Sequence, residues 1–148
     1  MKIMFDSNIF DRLDEIDSQL KGSEEEFDYY ITSIQVQELS EIPDTKKEVR
    51  TMNLLRLAKL RAKLISTSVA VYGYSRYNMA RMGDGIVYNQ MLNDSKNNIK
   101  DAIIADTAVN EMCTLVTEDD ELYKKMTRHN YSVLKMEEFL DLVKKKNN

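Results

Sequence analysis

Short apolar runs recur along this chain, each stopping at polar or acidic residues and each followed by residues at helical spacing. No other feature constrains the fold as much. Lys2 to Phe5 stops at Asp6-Ser7-Asn8, Tyr29-Tyr30-Ile31 at Thr32-Ser33, and Thr114-Leu115-Val116-Thr117 at Glu118-Asp119-Asp120. A fourth run covers residues 131–134. Strands alternating with helices in this way predict an α/β fold, a short parallel sheet covered by helices on both faces. After the first run, Phe10, Leu13, Ile16 and Leu20 recur at near-helical spacing, with Gly22 placed to close the helix. Thr32 and Gln35 have the spacing of a capping box; the helix they open carries Val36, Glu38 and Leu39 and ends near Pro43. Asp101 opens an apolar helix through Ile103, Ile104, Ala108 and Met112. Leu122 and Met126 mark a further helix, and Phe139 and Val143 the last.

The middle is less regular. Residues 45–65 hold few breakers and predict one long helix, with Arg56, Lys59 and Lys63 on one face. Residues 66–93 fit neither period; helix is expected there, with a turn at Gly83-Asp84-Gly85. Residues 93–98 are polar and predict a loop. With no internal repeat and no linker, residues 1–148 are expected to form a single domain.

Absences narrow the chemistry. One histidine, His129, and one cysteine, Cys113, exclude His- or Cys-rich zinc sites and a disulfide framework. Four glycines leave neither a dinucleotide fingerprint nor a phosphate loop. A metal held by side chains must then be held mainly by carboxylates, which points to Mg²⁺ or Mn²⁺. No run approaches the length of a membrane span, and a lone cysteine suits a reducing compartment. The expectation is a soluble cytoplasmic protein.

Four acids stand at informative places. Ligands bind outside the carboxyl ends of parallel strands, so Asp6 and Asp119 are expected to meet in space. Asp101 opens the helix leading into the strand before Asp119, and Glu38 lies in the first turns after the second strand. Brought together, such carboxylates repel one another unless a cation lies between them. Singly, each has an ordinary role: Asp6 and Asp119 as helix N-caps, Asp101 as a complement to a helix dipole, Glu38 on a solvated face. Asp106 follows Asp101 by five residues, about 140° around a helix. It is expected to face water and to act at most behind the ligands, and Asp120 is the next acid after it to test.

In their order, these segments resemble a PIN-domain ribonuclease. Residues 1–9 look like its opening strand running into Asp-[Ser/Thr]-Asn. Residues 32–39 are similar to its second motif, with Glu38 as the acid, and residues 101–108 to its third, with Asp101. Residues 115–119 match its fourth, ending in Asp119. The family often has a small residue where Asp106 stands. The resemblance implies a PIN-like fold and a Mg²⁺- or Mn²⁺-dependent endoribonuclease, similar to the toxin half of VapBC-type toxin–antitoxin modules. It makes Asp6, Glu38, Asp101 and Asp119 the catalytic, metal-holding residues, RNA the substrate, and an antitoxin protein and a second copy in a homodimer the expected partners. The alternative is a noncatalytic PIN-like module that binds a partner or RNA; the four filled acid positions favour the enzyme. Ser7, Asn8 and Thr117 are candidates to orient water or backbone, or simply caps and turn residues.

The net charge of −4 is unevenly spread. Residues 11–28 carry eight acids and two bases, residues 45–63 seven bases and one acid. The basic segment, with Arg76 and Arg81, is the candidate for phosphate contacts, or else a solvated face. Tyr72, Tyr74 and Tyr77 are candidates for stacking on unpaired bases, with core or dimer interface the commoner use of tyrosine.

Overall fold

The computed structural model describes residues 1–92 and 98–146. The expected loop at 93–98 lies outside them apart from Asn98. Five strands, β1 (Lys2–Phe5), β2 (Asp28–Thr32), β3 (Lys63–Ile65), β4 (Thr114–Val116) and β5 (Val133–Leu134), form one sheet in the order β3-β2-β1-β4-β5. Every neighbouring pair is parallel. The helices are α1 (Leu13–Leu20), α2 (Ser33–Ser40), α3 (Lys47–Lys59), α4 (Ile86–Met91), α5 (Ile99–Asn110), α6 (Asp120–Arg128) and α7 (Met136–Lys146).

Strand periodicity sorts the core into two layers. Ile3 and Phe5 point into a cluster with Leu13, Leu57, Phe139 and Val143, so α1, α3 and α7 cover that face. Met4 points the other way, into a cluster with Met91, Ala105, Leu115 and Met126, covered by α4, α5 and α6. Leu39 of α2 joins the first cluster, while its Ile34 packs with Val69 and Ile103 in a third. Phe139, fully buried, meets Phe5, Phe27 and Tyr29 edge-on. Among the described residues no helix is long and apolar enough to cross a membrane.

The expected long helix over residues 45–65 is shorter, and its end is built by hydrogen bonds that no breaker announces. α3 stops at Lys59, Arg61 takes φ +53°, and its amide donates to Ala58 O at 3.0 Å while Ala62 N donates to Leu57 O at 3.1 Å. This is a Schellman closure with arginine where glycine is usual. The chain then turns into β3, and Lys63 pairs with Asp28 across the sheet edge instead of extending the face of Arg56 and Lys59. α5 and α6 close in the same way, on Met112 at φ +57° and Asn130 at φ +58°.

Residues 66–85 are not helical, contrary to the expectation. They form a long loop closed by Thr67, whose N–H donates to Met79 O at 3.0 Å and whose O accepts from Arg81 N at 2.7 Å. Gly83 approaches so closely that a Cβ there would stand 2.4 Å from Ser68 O. Helix resumes only at Ile86.

Candidate active site

The order of strands reverses between β1 and β4, and at such a switch point the connections leave in opposite directions and open a crevice at the carboxyl ends. Phe5 and Val116 are paired in register, and Asp6 N donates to Val116 O at 2.8 Å, so the residues just beyond the two strands stand side by side. Those residues are Asp6 and Thr117, both buried. Thr117 Oγ1 donates to Asp6 Oδ2 at 2.7 Å and accepts from Asp119 N at 3.0 Å, so one hydroxyl ties two of the sequence-predicted acids together. Asn8 reinforces this corner, its Nδ2 donating to Thr117 Oγ1 at 3.4 Å and its Oδ1 accepting from Glu118 N at 3.4 Å.

The capping box expected at Thr32 is present. Thr32 N donates to Gln35 Oε1 at 2.8 Å and Gln35 N to Thr32 Oγ1 at 3.4 Å. Gln35 has a second task, since its Nε2 donates to Phe5 O at the end of β1. That contact seats α2 over the strand end and brings Glu38, one turn on, to the crevice. Ser7 Oγ donates to Glu38 Oε2. Asp6 Oδ1 accepts from Ser7 N at 2.8 Å and Asp119 Oδ1 from Leu122 N at 2.8 Å, so the N-cap roles are real and coexist with a place in the cluster.

Asp101, in the first turn of α5, differs from the other three. Its carboxylate accepts no hydrogen bond from the described residues. It shares a cleft with Asn98, Asp119, Leu122 and Lys125. Burial, then the charges of Asp6, Glu38 and Asp119, push its carboxyl up to about 7, with Lys100 opposing. Burial also raises Asp6, with Asp119 and Glu38 adding to the rise against its hydrogen bonds from Thr117 and Ser7. Asp6 and Asp101 therefore both feel the charges of Glu38 and Asp119.

Lys100 is a participant that sequence reasoning missed. Its Nζ stands 3.3 Å from Glu38 Oε1 and 4.0 Å from Glu41 Oε2, a cation at the edge of the carboxylates. Its position next to Asp101 was the available signal. Asp106, expected to face water, is instead buried and fully engaged. It accepts from Tyr88 N at 2.9 Å, from Asn110 Nδ2 at 3.2 Å and from Ser68 Oγ. Asp106 does not face water because α5 is covered from Ala102 through Ala108, leaving no solvent face there, while the angle around the helix does turn it away from Asp101. Asp106 pins the start of the long loop and caps α4. Asp120 is exposed and paired with Lys135 at 2.7 Å, which holds its carboxyl below the usual carboxylate range.

The donor set is all oxygen, acidic and mutually repelling, which suits a hard divalent cation. Among the described residues, however, no three acids converge closely enough to enclose one ion.

Tyr72 and Tyr77 are fully exposed, so the core role holds only for Tyr74, which packs beside Ile34 and Ile103. Much of the basic segment is already paired: Arg50 with Asp44 at 3.0 Å, Arg56 with Asp17 at 3.8 Å, and Lys63 with Asp28 at 2.8 Å.

No protein-family model matches the chain, and no curated protein matches it by sequence. Among solved structures it is similar to a chain of VapBC2 from Rickettsia felis, crystallised bound to a DNA fragment from their promoter. The TM-score is 0.59 at 21% sequence identity, over 91% of this chain and 98% of that one. At that identity the likeness shows the fold, and the fold is PIN-like.

Proposed function

We propose that this chain is a metal-dependent endoribonuclease, with Asp6, Glu38, Asp101 and Asp119 as the acids that hold Mg²⁺ or Mn²⁺. One observation carries the reading: Asp101, unsupported by any described hydrogen-bond donor, is pushed up to about 7 by burial and by the other three acids. A fold gains nothing from such repulsion, and clustered perturbed carboxylates in a cleft mark functional sites. A divalent cation supplies relief of that repulsion, a lowered pKa for bound water, and charge to offset the scissile phosphate.

The remaining work falls to the protein. Thr117 and Ser7 fix the Asp6 carboxylate through both of its oxygens, so it meets a ligand in one orientation. Ser7 and Lys100 hold Glu38 from two sides. Asp101, with neither kind of restraint among the described residues, is the acid left to adjust. In-line displacement needs the phosphodiester to lie over the carboxyl ends of β1 and β4, and the 5′-phosphate product follows the family resemblance.

The same proposal makes the chain the toxin of a toxin–antitoxin pair, working in the cytoplasm as a homodimer restrained by a small antitoxin. The likeness to VapBC2 supports this, as does the apolar surface of α3, where Val49, Met52 and Leu55 are exposed. The test is incubation of wild type, Asp6→Asn and Asp101→Asn with varied RNAs and Mn²⁺. Cleavage by wild type and loss in both variants is expected. Equal cleavage by all three would identify a contaminant, and wild type that binds RNA without cutting it would favour the noncatalytic module.

A further inference from the structure

Residues 66–85 carry no helix and no strand beyond one isolated bridge, yet much of their backbone is held. Val71 O accepts from Tyr74 N at 3.1 Å and from Ser75 N at 2.9 Å, and Val71 N donates to Ser75 Oγ at 2.7 Å, closing a tight turn. Gly73, at φ +83°, sits between two tyrosines of opposite fate. Tyr74 turns inward onto Ile34 of α2 and Ile103 of α5, whereas Tyr72 stays outside. Tyr72 and Tyr77 are exposed to 104% and 93%, the barest large hydrophobic side chains in the described structure.

The turn lies on the seam from which two of the four acids project. Ile34 is one turn before Glu38, and Ile103 is two residues after Asp101. Arg76 Nε donates to Gln37 Oε1 at 3.1 Å, fastening the loop to the residue before Glu38. Between residues 66 and 83 the only charged side chains are Arg76 and Arg81. Arg81 is engaged by Glu111. Arg76 uses Nε alone, so its two terminal nitrogens face solvent without a described partner.

A hydrogen-bonded loop bearing two bare aromatic rings and one guanidinium whose terminal nitrogens have no described partner, fastened beside a carboxylate site, matches the needs of a single strand. Bases of any sequence stack on aromatic faces, and an arginine meets the phosphate between them. We propose that Tyr72 and Tyr77 form a stacking platform for unpaired bases of the strand whose phosphodiester enters the carboxylate site, with Arg76 on an adjoining phosphate. The proposal deepens the nuclease reading and rests on it for the strand's path.

The test is fluorescence polarisation in EDTA, where no cutting is expected. The probes are a labelled single-stranded oligoribonucleotide, the same sequence as deoxyribonucleotide, and the corresponding RNA duplex. Tyr72→Ala and Tyr77→Ala should each weaken single-strand binding about fivefold or more, as loss of one stacked base predicts. Tyr72→Phe and Tyr77→Phe should retain it. Melting temperatures should not move, since neither ring is packed. Equal losses on RNA and deoxyribonucleotide strands would assign the contact to the bases, and a loss on RNA alone would add a contact to the 2′-hydroxyl. Either supports the platform. Unchanged affinity in the alanine variants, equal loss on the duplex, or no single-strand binding by wild type overturns it. Cleavage in Mn²⁺ separates the two readings. Wild type that binds through its tyrosines but never cuts removes the nuclease and leaves the platform. Wild type that cuts, with kcat/KM unchanged in the alanine variants, does the reverse.

Discussion

Asp101→Asn removes one charge from the carboxylate cluster and changes almost nothing in size, so its effect on stability reads the repulsion directly. Burial and three neighbouring acids raise this carboxyl from 3.8 to about 7. The folded state therefore binds a proton that the unfolded chain releases near pH 4. Between about pH 4 and 7 the folded protein holds more protons, so stability falls as pH rises through that window and stays low above it. The full shift corresponds to a ceiling of about 4 kcal/mol. Asp101 is partly exposed, and screening by solvent reduces this to about 2 kcal/mol. In a domain of this size that is about 4–8 °C in melting temperature. Thermal melts in EDTA at pH 8 should therefore show Asp101→Asn above wild type by that margin, with the gap closing by pH 5. Saturating Mn²⁺ should reverse the order, because only wild type gains the full binding energy, about 2.7 kcal/mol at a hundredfold excess over Kd. An Asp101→Asn variant less stable than wild type in EDTA at pH 8 would refute the argument, since it would mean that the carboxylate is held by favourable contacts.

Asp106→Ala should behave oppositely, losing on the order of 3 kcal/mol with or without metal, because it strands Ser68 Oγ and Tyr88 N and cuts the long loop and α4 loose; denaturant melts in EDTA check it. Thr117→Val leaves Asp6 Oδ2 and Asp119 N without their shared hydroxyl and should cost about 1–3 kcal/mol. It should also weaken Mn²⁺ binding, read by calorimetric titration; unchanged metal affinity would show that the hydroxyl does not orient the acids. Met112→Gly should stabilise the chain by about 1 kcal/mol, since Met112 is exposed and held in a left-handed conformation that costs an L-residue about that much. A lower melting temperature for that variant would show that the methionine side chain contributes more than its backbone costs.

What could be read from the residues alone followed local rules. β1 is legible because Lys2–Phe5 is short and apolar and stops at a capping aspartate, and α2 because Thr32 and Gln35 advertise their box. The paired strands and the place of Asp6 beside Thr117 follow from parallel α/β topology. The failures share one cause, backbone or side chains satisfied by distant partners. α3 ends on Arg61, a left-handed position that sequence habit reserves for glycine. Residues 66–85 show no period because they are organised from another element, Asp106 and Thr107 of α5 holding Ser68. Asp106 defeats a helix-face expectation because the helix that carries it is enclosed. Lys100 carries no local signal of its role because its partner Glu38 lies on a helix 62 residues earlier.

The bridge from Thr117 to Asp6 spans 111 positions of chain. β1 is made first, yet it is the middle strand, and one of its two neighbours is β4. Closing so long a loop is entropically costly and is therefore late in folding. A nascent chain that has displayed Asp6 and Glu38 still lacks Asp101, Asp119 and the hydroxyl that aligns them. For a protein proposed to cut RNA, synthesised while threaded through a machine made of RNA, strand order thus acts as a timer: the carboxylate cluster cannot assemble until β4 and the residues beyond it have left the maker.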